Sequence, residues 1–358
     1  MKAPFPYFGG KMMIADKVWA ALGNPRHYIE PFFGSGAVLL AREKHDPQTM
    51  TETVNDKDGH ICNVWRALQA DPDGVAKLAD WPVNHADLSA RKRVINASTE
   101  NMTARLIADD TYYDIKVAAY WIWAASCWIG SGLTSPNAMP HLSDGGKGIH
   151  AIGKMPHISR GGMGIHAIGQ MPHLSNGGMG IHAIGQIPYL SGGGMVTDPY
   201  NTTIYETFRK LSERLRYVRV VCGDWKQVCG GNWQDNLGAV GIFFDPPYSD
   251  TATRCEKLYA EDSLSVAHEV RDWCLTRGKL PTYKIVLAGY YEEHDTLLNH
   301  GWTVIKWKTN GGYGKIKGKE ETGELRNRHR EALFLSPYCK RDDDMFSALD
   351  NGEEPGIS

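Results

Sequence analysis

The stretch AVGIFFDPPY, residues 239–248, constrains the fold more than any other part of the chain. An apolar run without polar alternation is typical of a strand that is buried on both faces of a parallel sheet. Parallel strands need helical crossovers, so this run predicts an α/β protein. In open α/β sheets, ligands bind beyond the carboxyl ends of the strands, and Asp245 follows the run at that end.

A second segment fits the same sheet. Residues 27–45, HYIEPFFGSGAVLLAREKH, predict a strand ending at Glu30, a glycine turn and a helix over AVLLAREKH, and TETVNDKD predicts a second strand that ends in acids. Glycines let a ligand approach the backbone, and Asp56 lies 20 residues after Gly36, which suits binding of ribose hydroxyls. A dinucleotide fingerprint would have glycine where Leu39 stands, so a nicotinamide oxidoreductase is disfavoured.

The chain divides around an insertion. Residues 60–130 predict helices, and the cluster Trp121, Trp123 and Trp128 is interpreted as core packing. From about residue 203 the α/β pattern returns with a helix, a strand RVVCGD ending at Asp224, the apolar strand, a helix, a strand KIVLAGY and a terminal strand pair. We therefore expect a catalytic domain of residues 1–58 and 201–340, an insert at 59–200 and a disordered tail at 341–358.

The insert contains a repeat of period 16 at residues 139–194, beginning MPHLSDGGKGIHAIGK and MPHISRGGMGIHAIGQ. Glycine and proline recur too often for a long helix, so short strands joined by glycine turns are predicted. The repeats carry three basic side chains and six histidines against one acid, and residues 306–330 carry eight Lys/Arg against three Glu. Such local basic faces fit nucleic acid, although on charge alone a solvated surface is the favoured interpretation of each run.

Composition indicates which kinds of protein the chain can be. The net charge is −2, no apolar run approaches the ~20 residues of a membrane span, and no signal-peptide core is present. Seven cysteines without a C-x-x-C pair indicate free thiols, and no metal site is expected. We expect a soluble, cytoplasmic protein with no membrane partner.

The DPPY stretch indicates the chemistry. Pro246 and Pro247 fix φ and remove two backbone donors, so carbonyls of a rigid turn point outward beside the carboxylate of Asp245. The two acceptors suit an exocyclic amine, and Tyr248 offers a face on which a planar base can stack. A surface Asp-Pro turn is the alternative, but it does not explain why the motif follows a buried strand.

Taken in order, these segments resemble the Dam-like (D12 class, α-group) DNA adenine-N6 methyltransferases of phage or prophage type. FPYFGGK, YIEPFFGSGAV, NDKD, GDW, DPPY and RHREALFLSP resemble that family's blocks over about residues 1–60 and 200–340. The resemblance implies a class I S-adenosylmethionine-dependent methyltransferase fold, Rossmann-like with a mostly parallel sheet. It also implies a target-recognition region within the helical and glycine-rich insert.

The resemblance also implies roles for particular residues. The catalytic residues would be Asp245, Pro246, Pro247 and Tyr248. S-adenosyl-L-methionine would contact Tyr7, Lys11, Glu30, Phe32, Phe33, Gly34, Gly36, Asp56 and Asp224. The basic side chains of the repeats and of residues 306–330, rather than the resemblance, place the expected DNA contacts at Lys147, Lys154, Arg160, Lys315, Lys317 and Arg328.

Several alternatives stay open at this point. Lys11 could be a surface lysine, Glu30 could cap the following helix, and the repeats could form a scaffold or a dimerisation surface. The target base would be flipped out of double-stranded DNA, and a homodimer fits a palindromic site. Cytosine-N4 methylation uses the same chemistry, and a catalytically silent DNA-binding regulator could keep the fold.

Overall fold

The computed structural model describes residues 1, 3–5, 11–129, 133, 139–142, 149–152, 204–247, 265–306 and 331–340. In chain order, the strands of these residues are β1 (His27–Glu30), β2 (Thr51–Asp56), β3 (Trp128–Ile129), β4 (Met139–Leu142), β5 (Ile149–Ile152), β6 (Val218–Cys222), β7 (Val240–Phe244), β8 (Tyr283–Tyr290), β9 (Thr303–Lys306) and β10 (Glu331–Leu335).

Four of the described helices begin at side-chain caps, in which Asp58, Asp71, Asn84 and Asp114 each accept from a backbone N–H of the helix that follows. In chain order, the helices of the described residues are α1 (Ala15–Leu22), α2 (Ala37–Leu40), α3 (Gly59–Ala70), α4 (Pro72–Ala79), α5 (His85–Ala108), α6 (Ile115–Cys127), α7 (Ile204–Leu215), α8 (Lys226–Cys229), α9 (Val266–Arg277) and α10 (Tyr291–His294). None of these described helices combines the length and apolar character that a membrane span needs.

Seven strands form one mixed sheet in the order β6-β2-β1-β7-β8-β10-β9. All neighbours from β6 to β8 pair in parallel, and β10 pairs antiparallel with both β8 and β9. The carboxyl ends of β1, β2 and β7 therefore lie side by side at one edge, as predicted. The expected α/β class, the mostly parallel sheet and the terminal strand pair are confirmed.

The burial of strand β7 on both faces explains why its sequence shows no polar alternation. All five of its residues are buried. Phe243 packs into a hydrophobic cluster on one face of the sheet with α1 and α3, whereas Ile242 and Phe244 pack into a cluster on the other face with α9. Helices thus cover both faces, and each face demands apolar side chains from the strand between them.

The helices α3 to α6 share a core with the sheet. Phe5 lies 4.9 Å from Trp121 of α6, and Phe33 lies 4.9 Å from Trp65 of α3, measured between ring centroids. Trp123 is fully buried, so the interpretation of the tryptophan cluster as core is confirmed. The boundary predicted at residue 58 therefore marks no break in packing, and the division into domains stays a prediction.

The helix predicted over AVLLAREKH is too long, because α2 ends at Leu40. The guanidinium of Arg42 turns into the protein interior instead, donating to Asn24 Oδ1, to the Pro25 carbonyl and to Glu52. These bonds need a chain direction that a continued helix would not provide. The strand predicted to reach Asp224 likewise ends two residues earlier, at Cys222.

A small second sheet begins in the repeat region. Strand β5 pairs in parallel with β3 and antiparallel with β4, with His141 opposite His150. In this first copy of the repeat the prediction of short strands is confirmed. The later copies, the tail at 341–358 and Cys255 lie outside the described residues; the six described cysteines are free thiols, as expected.

Candidate active site

The loop between β1 and α2 carries the two predicted glycines. Gly34 and Gly36 have φ of 47° and 66°, which favours glycine at both positions. A Cβ at Gly36 would also lie 2.8 Å from the ring of Phe33 and 3.2 Å from Trp65. The indole of Trp65 donates to the Gly34 carbonyl at 3.0 Å, so the loop is fixed from beneath by a buried tryptophan.

Asp56, the last residue of β2, lies against this loop. Its Oδ2 accepts from the backbone N–H of Gly34 at 2.8 Å, and its Oδ1 accepts from that of Asp58 at 2.9 Å. Burial and, to a smaller extent, the negative charge of Asp58 together raise the pKa of this carboxyl to about 7. A half-buried carboxylate with lone pairs to spare therefore stands beside the glycine turn.

Asn55 ties three loops of the site together. Its Nδ2 donates to the carbonyls of Pro31 and Gly223, both at 3.0 Å, and the Gly223 N–H donates to the Asp56 carbonyl at 2.9 Å. These bonds hold the loop after β6 beside the end of β2. The exposed carboxylate of Asp224 follows directly, so it lies at the same edge as Asp56.

Asp245 forms an ion pair with Lys11. Lys11 Nζ lies 3.0 Å from Asp245 Oδ1, and the two side chains are 7% and 21% exposed. Burial raises the pKa of Asp245, and the ammonium of Lys11 opposes that shift. A lysine on the solvated surface, the alternative for Lys11, is excluded. Pro246 is buried and Pro247 half-buried after the strand.

Among the residues predicted to contact the cofactor, Glu30 has the geometry that supports this role least. Its side chain is 2% exposed and accepts from the Tyr28 hydroxyl at 2.8 Å. A second bond comes from the backbone N–H of Leu39 in α2, and burial raises the pKa of this carboxyl well above its usual range. These contacts favour the alternative in which Glu30 caps the short helix.

The two phenylalanines that were predicted to contact the cofactor lie in different environments. Phe33 is buried against Trp65, whereas Phe32 is half-buried and lies 6.4 Å from Phe244 between ring centroids. Trp225, which follows Asp224, is buried and meets Phe244 edge to face at 6.0 Å. Phe32 is therefore the member of the pair that remains accessible at the sheet edge.

The structure brings most of the described predictions to one edge. The residues at this edge follow or adjoin the carboxyl ends of β1, β2, β6 and β7. They are Lys11, Phe32, Gly34, Gly36, Asp56, Asp224, Asp245, Pro246 and Pro247. The remaining predictions lie outside the described residues: Tyr7, Tyr248, Lys147, Lys154, Arg160, Lys315, Lys317 and Arg328.

Three residues that form part of the site were not predicted from the sequence. Trp65 and Asn55 act through hydrogen bonds to loop carbonyls, and Glu331 lies near the Lys11–Asp245 pair. Asn55 offered a signal, because it is a polar residue between a buried valine and an acid at a strand end. Neither Trp65 nor Glu331 carried such a signal, since each becomes part of the site only through packing distant in sequence.

In the sheet, strand β10 is inserted beside β8, and at the sheet edge the glycine loop lies against the acid at the end of β2. Together these features define a class I S-adenosylmethionine-dependent methyltransferase. Residues 7–129 match the model of a family described as D12 class N6 adenine-specific DNA methyltransferase. This match supports a Dam-like enzyme that methylates adenine N6 in DNA, and the cytosine-N4 alternative is not favoured. A search of curated proteins finds no match to the chain.

Proposed function

We propose that the enzyme transfers the methyl group of S-adenosyl-L-methionine to N6 of an adenine that has been flipped out of double-stranded DNA. One observation carries the proposal: the carboxylate of Asp245 and the glycine loop that Asp56 braces belong to adjacent strand ends, β7 and β1. An amine acceptor and a nucleoside cradle therefore meet at one sheet edge.

The loop fits the cofactor. Gly34 and Gly36 present backbone without a Cβ, and the spare lone pairs of Asp56 suit two ribose hydroxyls. Asp224, exposed at the same edge, would accept from the adenine amine of the cofactor, and Phe32 would contact its ring. Tyr7 remains proposed for this site, as do Phe33 and Glu30 in supporting positions. When bound, the cofactor supplies an electrophilic methyl group on a cationic sulfur.

Asp245 and the carbonyl of Pro246 would accept the two N–H groups of the target amine and so localise its lone pair. Lys11 binds Oδ1 of Asp245, which leaves Oδ2 for the amine. The ammonium also favours the ionised carboxylate against burial, and only that form is purely an acceptor. Pro247 stiffens the turn, and Tyr248 is proposed to stack on the flipped base.

The DNA-binding surface is proposed for the basic segments beyond the core. The family match reaches residue 129, whose strand β3 leads into the small sheet of the first repeat. Target recognition is therefore proposed for residues 130–200 rather than for the helices before them, which share the core of the sheet. The contacts are proposed at Lys147, Lys154, Arg160, Lys315, Lys317 and Arg328; the homodimer stays a prediction.

Asp245→Ala tests the proposal. The variant should bind DNA but yield no N6-methyladenine when treated DNA is digested to nucleosides, because the amine loses its acceptor. Asp272→Ala, which removes an exposed carboxylate of α9, is the matched control and should methylate as the parent does. Equal methylation by the parent and Asp245→Ala would refute the role, and N4-methylcytosine as the product would refute the proposed substrate.

A further inference from the structure

Two cysteines meet where strands β2 and β6 end. Cys62 belongs to α3, and its Sγ donates to the Asp56 carbonyl at 3.3 Å and lies 3.6 Å from the Val221 carbonyl oxygen. Cys222 follows Val221 and is the register partner of Asp56 across the two strands. A peptide oxygen lies about 2.8 Å from the next Cα, so Cys62 Sγ lies within about 6.5 Å of the Cys222 Cα.

The side chains of the two cysteines face each other. Side chains alternate along a strand, so Cys222 points to the same face of the sheet as Val220, which packs on the cluster that includes α3. Cys222 also packs against the small cluster that Cys62 forms with residues of α5 and α6. The two thiols hydrogen-bond to each other, and this bond lowers the pKa of the Cys222 thiol against the opposing effect of burial. The same bond raises the pKa of Cys62.

Only Cys222 is within reach of solvent. Cys62 is 3% exposed, whereas Cys222 is half-buried at the end of β6, the outermost strand on that side of the described sheet. The thiolate is the form of cysteine that reacts with a peroxide. Cys222 is therefore placed to react first, and Cys62 stands directly behind it as a second thiol.

We propose that Cys62 and Cys222 form a redox-sensitive pair, which a peroxide converts to a disulfide beside the cofactor site. The Cys222 thiolate attacks one peroxide oxygen, the O–O bond breaks, and the departing hydroxide takes up the proton that Cys222 released. The Cys62 sulfur then attacks the sulfenic acid: the S–S bond forms, the S–O bond breaks, and the departing hydroxide takes the Cys62 proton. Two thiols and one hydrogen peroxide thus give one disulfide and two waters.

The disulfide acts on the neighbouring site through the backbone. Bonded sulfurs lie about 2 Å apart, closer than in any hydrogen bond, so the end of β6 has to move towards α3. Cys222 leads directly into Gly223, whose N–H donates to the Asp56 carbonyl at 2.9 Å, and then into Asp224. Both acids proposed for the cofactor therefore shift, and the oxidised enzyme holds the cofactor more weakly. This consequence rests on the proposed function, whereas formation of the disulfide does not.

Peptide mapping tests the disulfide without cofactor or DNA. The reduced protein is treated with hydrogen peroxide, alkylated in denaturant and digested. The peptides of Cys62 and Cys222 should be recovered joined, with two hydrogens lost, and should separate after treatment with dithiothreitol. Cys229 and Cys274 are the matched control: they share one buried cluster at 0% exposure and should be recovered alkylated.

Cys62→Ser sets the peroxide dose. In this variant Cys222 should stop at the sulfenic acid, which dimedone labels, because the second thiol is missing. If dimedone does not label the variant, or if the parent at the labelling dose keeps both thiols or joins Cys222 to any other cysteine, the proposal is overturned.

Calorimetric titration with S-adenosylhomocysteine gives the second readout. The oxidised parent should bind this ligand roughly tenfold more weakly than the reduced parent, and dithiothreitol should restore the affinity. Cys222→Ser should bind it equally well before and after peroxide. An affinity that is the same in the reduced and the oxidised parent would refute the effect on the site.

The outcomes separate this inference from the proposed function. If the disulfide forms but the reduced parent neither binds S-adenosylhomocysteine nor makes N6-methyladenine, the proposed function fails and the redox-sensitive pair stands. If the reduced parent methylates adenine but both thiols survive the dose that labels Cys62→Ser, the redox-sensitive pair alone is refuted.

Discussion

Gly36→Ala should be the most informative single change in the glycine loop. The position has φ of 66°, and the new Cβ would lie 2.8 Å and 3.0 Å from two ring atoms of Phe33. Phe33 cannot yield easily, because it is buried against Trp65 at a centroid distance of 4.9 Å. Gly238 is the matched control: its φ is 80°, but nothing lies within 4 Å of a Cβ there.

The difference between the two variants isolates the steric effect. Each alanine bears the left-handed backbone strain of about 1–2 kcal/mol. Gly36→Ala adds overpacking of about 1–3 kcal/mol, because a methyl group enters a filled space. Gly36→Ala should therefore be less stable than Gly238→Ala by about 1–3 kcal/mol.

Denaturant unfolding of both variants without cofactor measures that difference, and calorimetric titration with S-adenosylhomocysteine measures the site. Gly36→Ala should bind the ligand at least tenfold more weakly than the parent, because the loop that carries the cradle must shift, and Gly238→Ala should bind normally. If Gly36→Ala is as stable as Gly238→Ala and binds normally, the reasoning about this loop is wrong.

Two further predictions concern the carboxylates of Asp56 and Glu52, both on β2. With the pKa of Asp56 raised to about 7, the carboxylate form is lost as the pH falls through 7, so cofactor affinity should weaken by up to about tenfold per pH unit below 7. Asp56→Asn should bind weakly with a flat pH profile by titration calorimetry; an unchanged profile would refute the assignment. Glu52→Ala should cost about 3–5 kcal/mol in denaturant unfolding, because it leaves Arg42 buried without its 3.0 Å partner. Asp73→Ala, which breaks an exposed pair with Arg209, should show no comparable loss.

Much of the site was predictable because strand-end chemistry is local in sequence. A buried parallel strand is apolar throughout, so β7 could be recognised before any contact was known, and the acid after it had to stand at the carboxyl edge. The glycine turn and Asp56 followed from the same βαβ pattern. By contrast, the end of α2 depended on Arg42, whose partners Asn24, Pro25 and Glu52 lie on other elements.

The sequence by itself determined the α/β class, the strand ends that carry the chemistry and the residue types found there, because each depends on periodicity and neighbouring residues. Only the tertiary structure decided how those ends combine. It joined Lys11 to Asp245, turned Glu30 inward onto Tyr28 and brought Glu331 near the Lys11–Asp245 pair. The physical reason is that charge pairing and burial depend on distances between elements remote in sequence, which packing of the whole sheet determines.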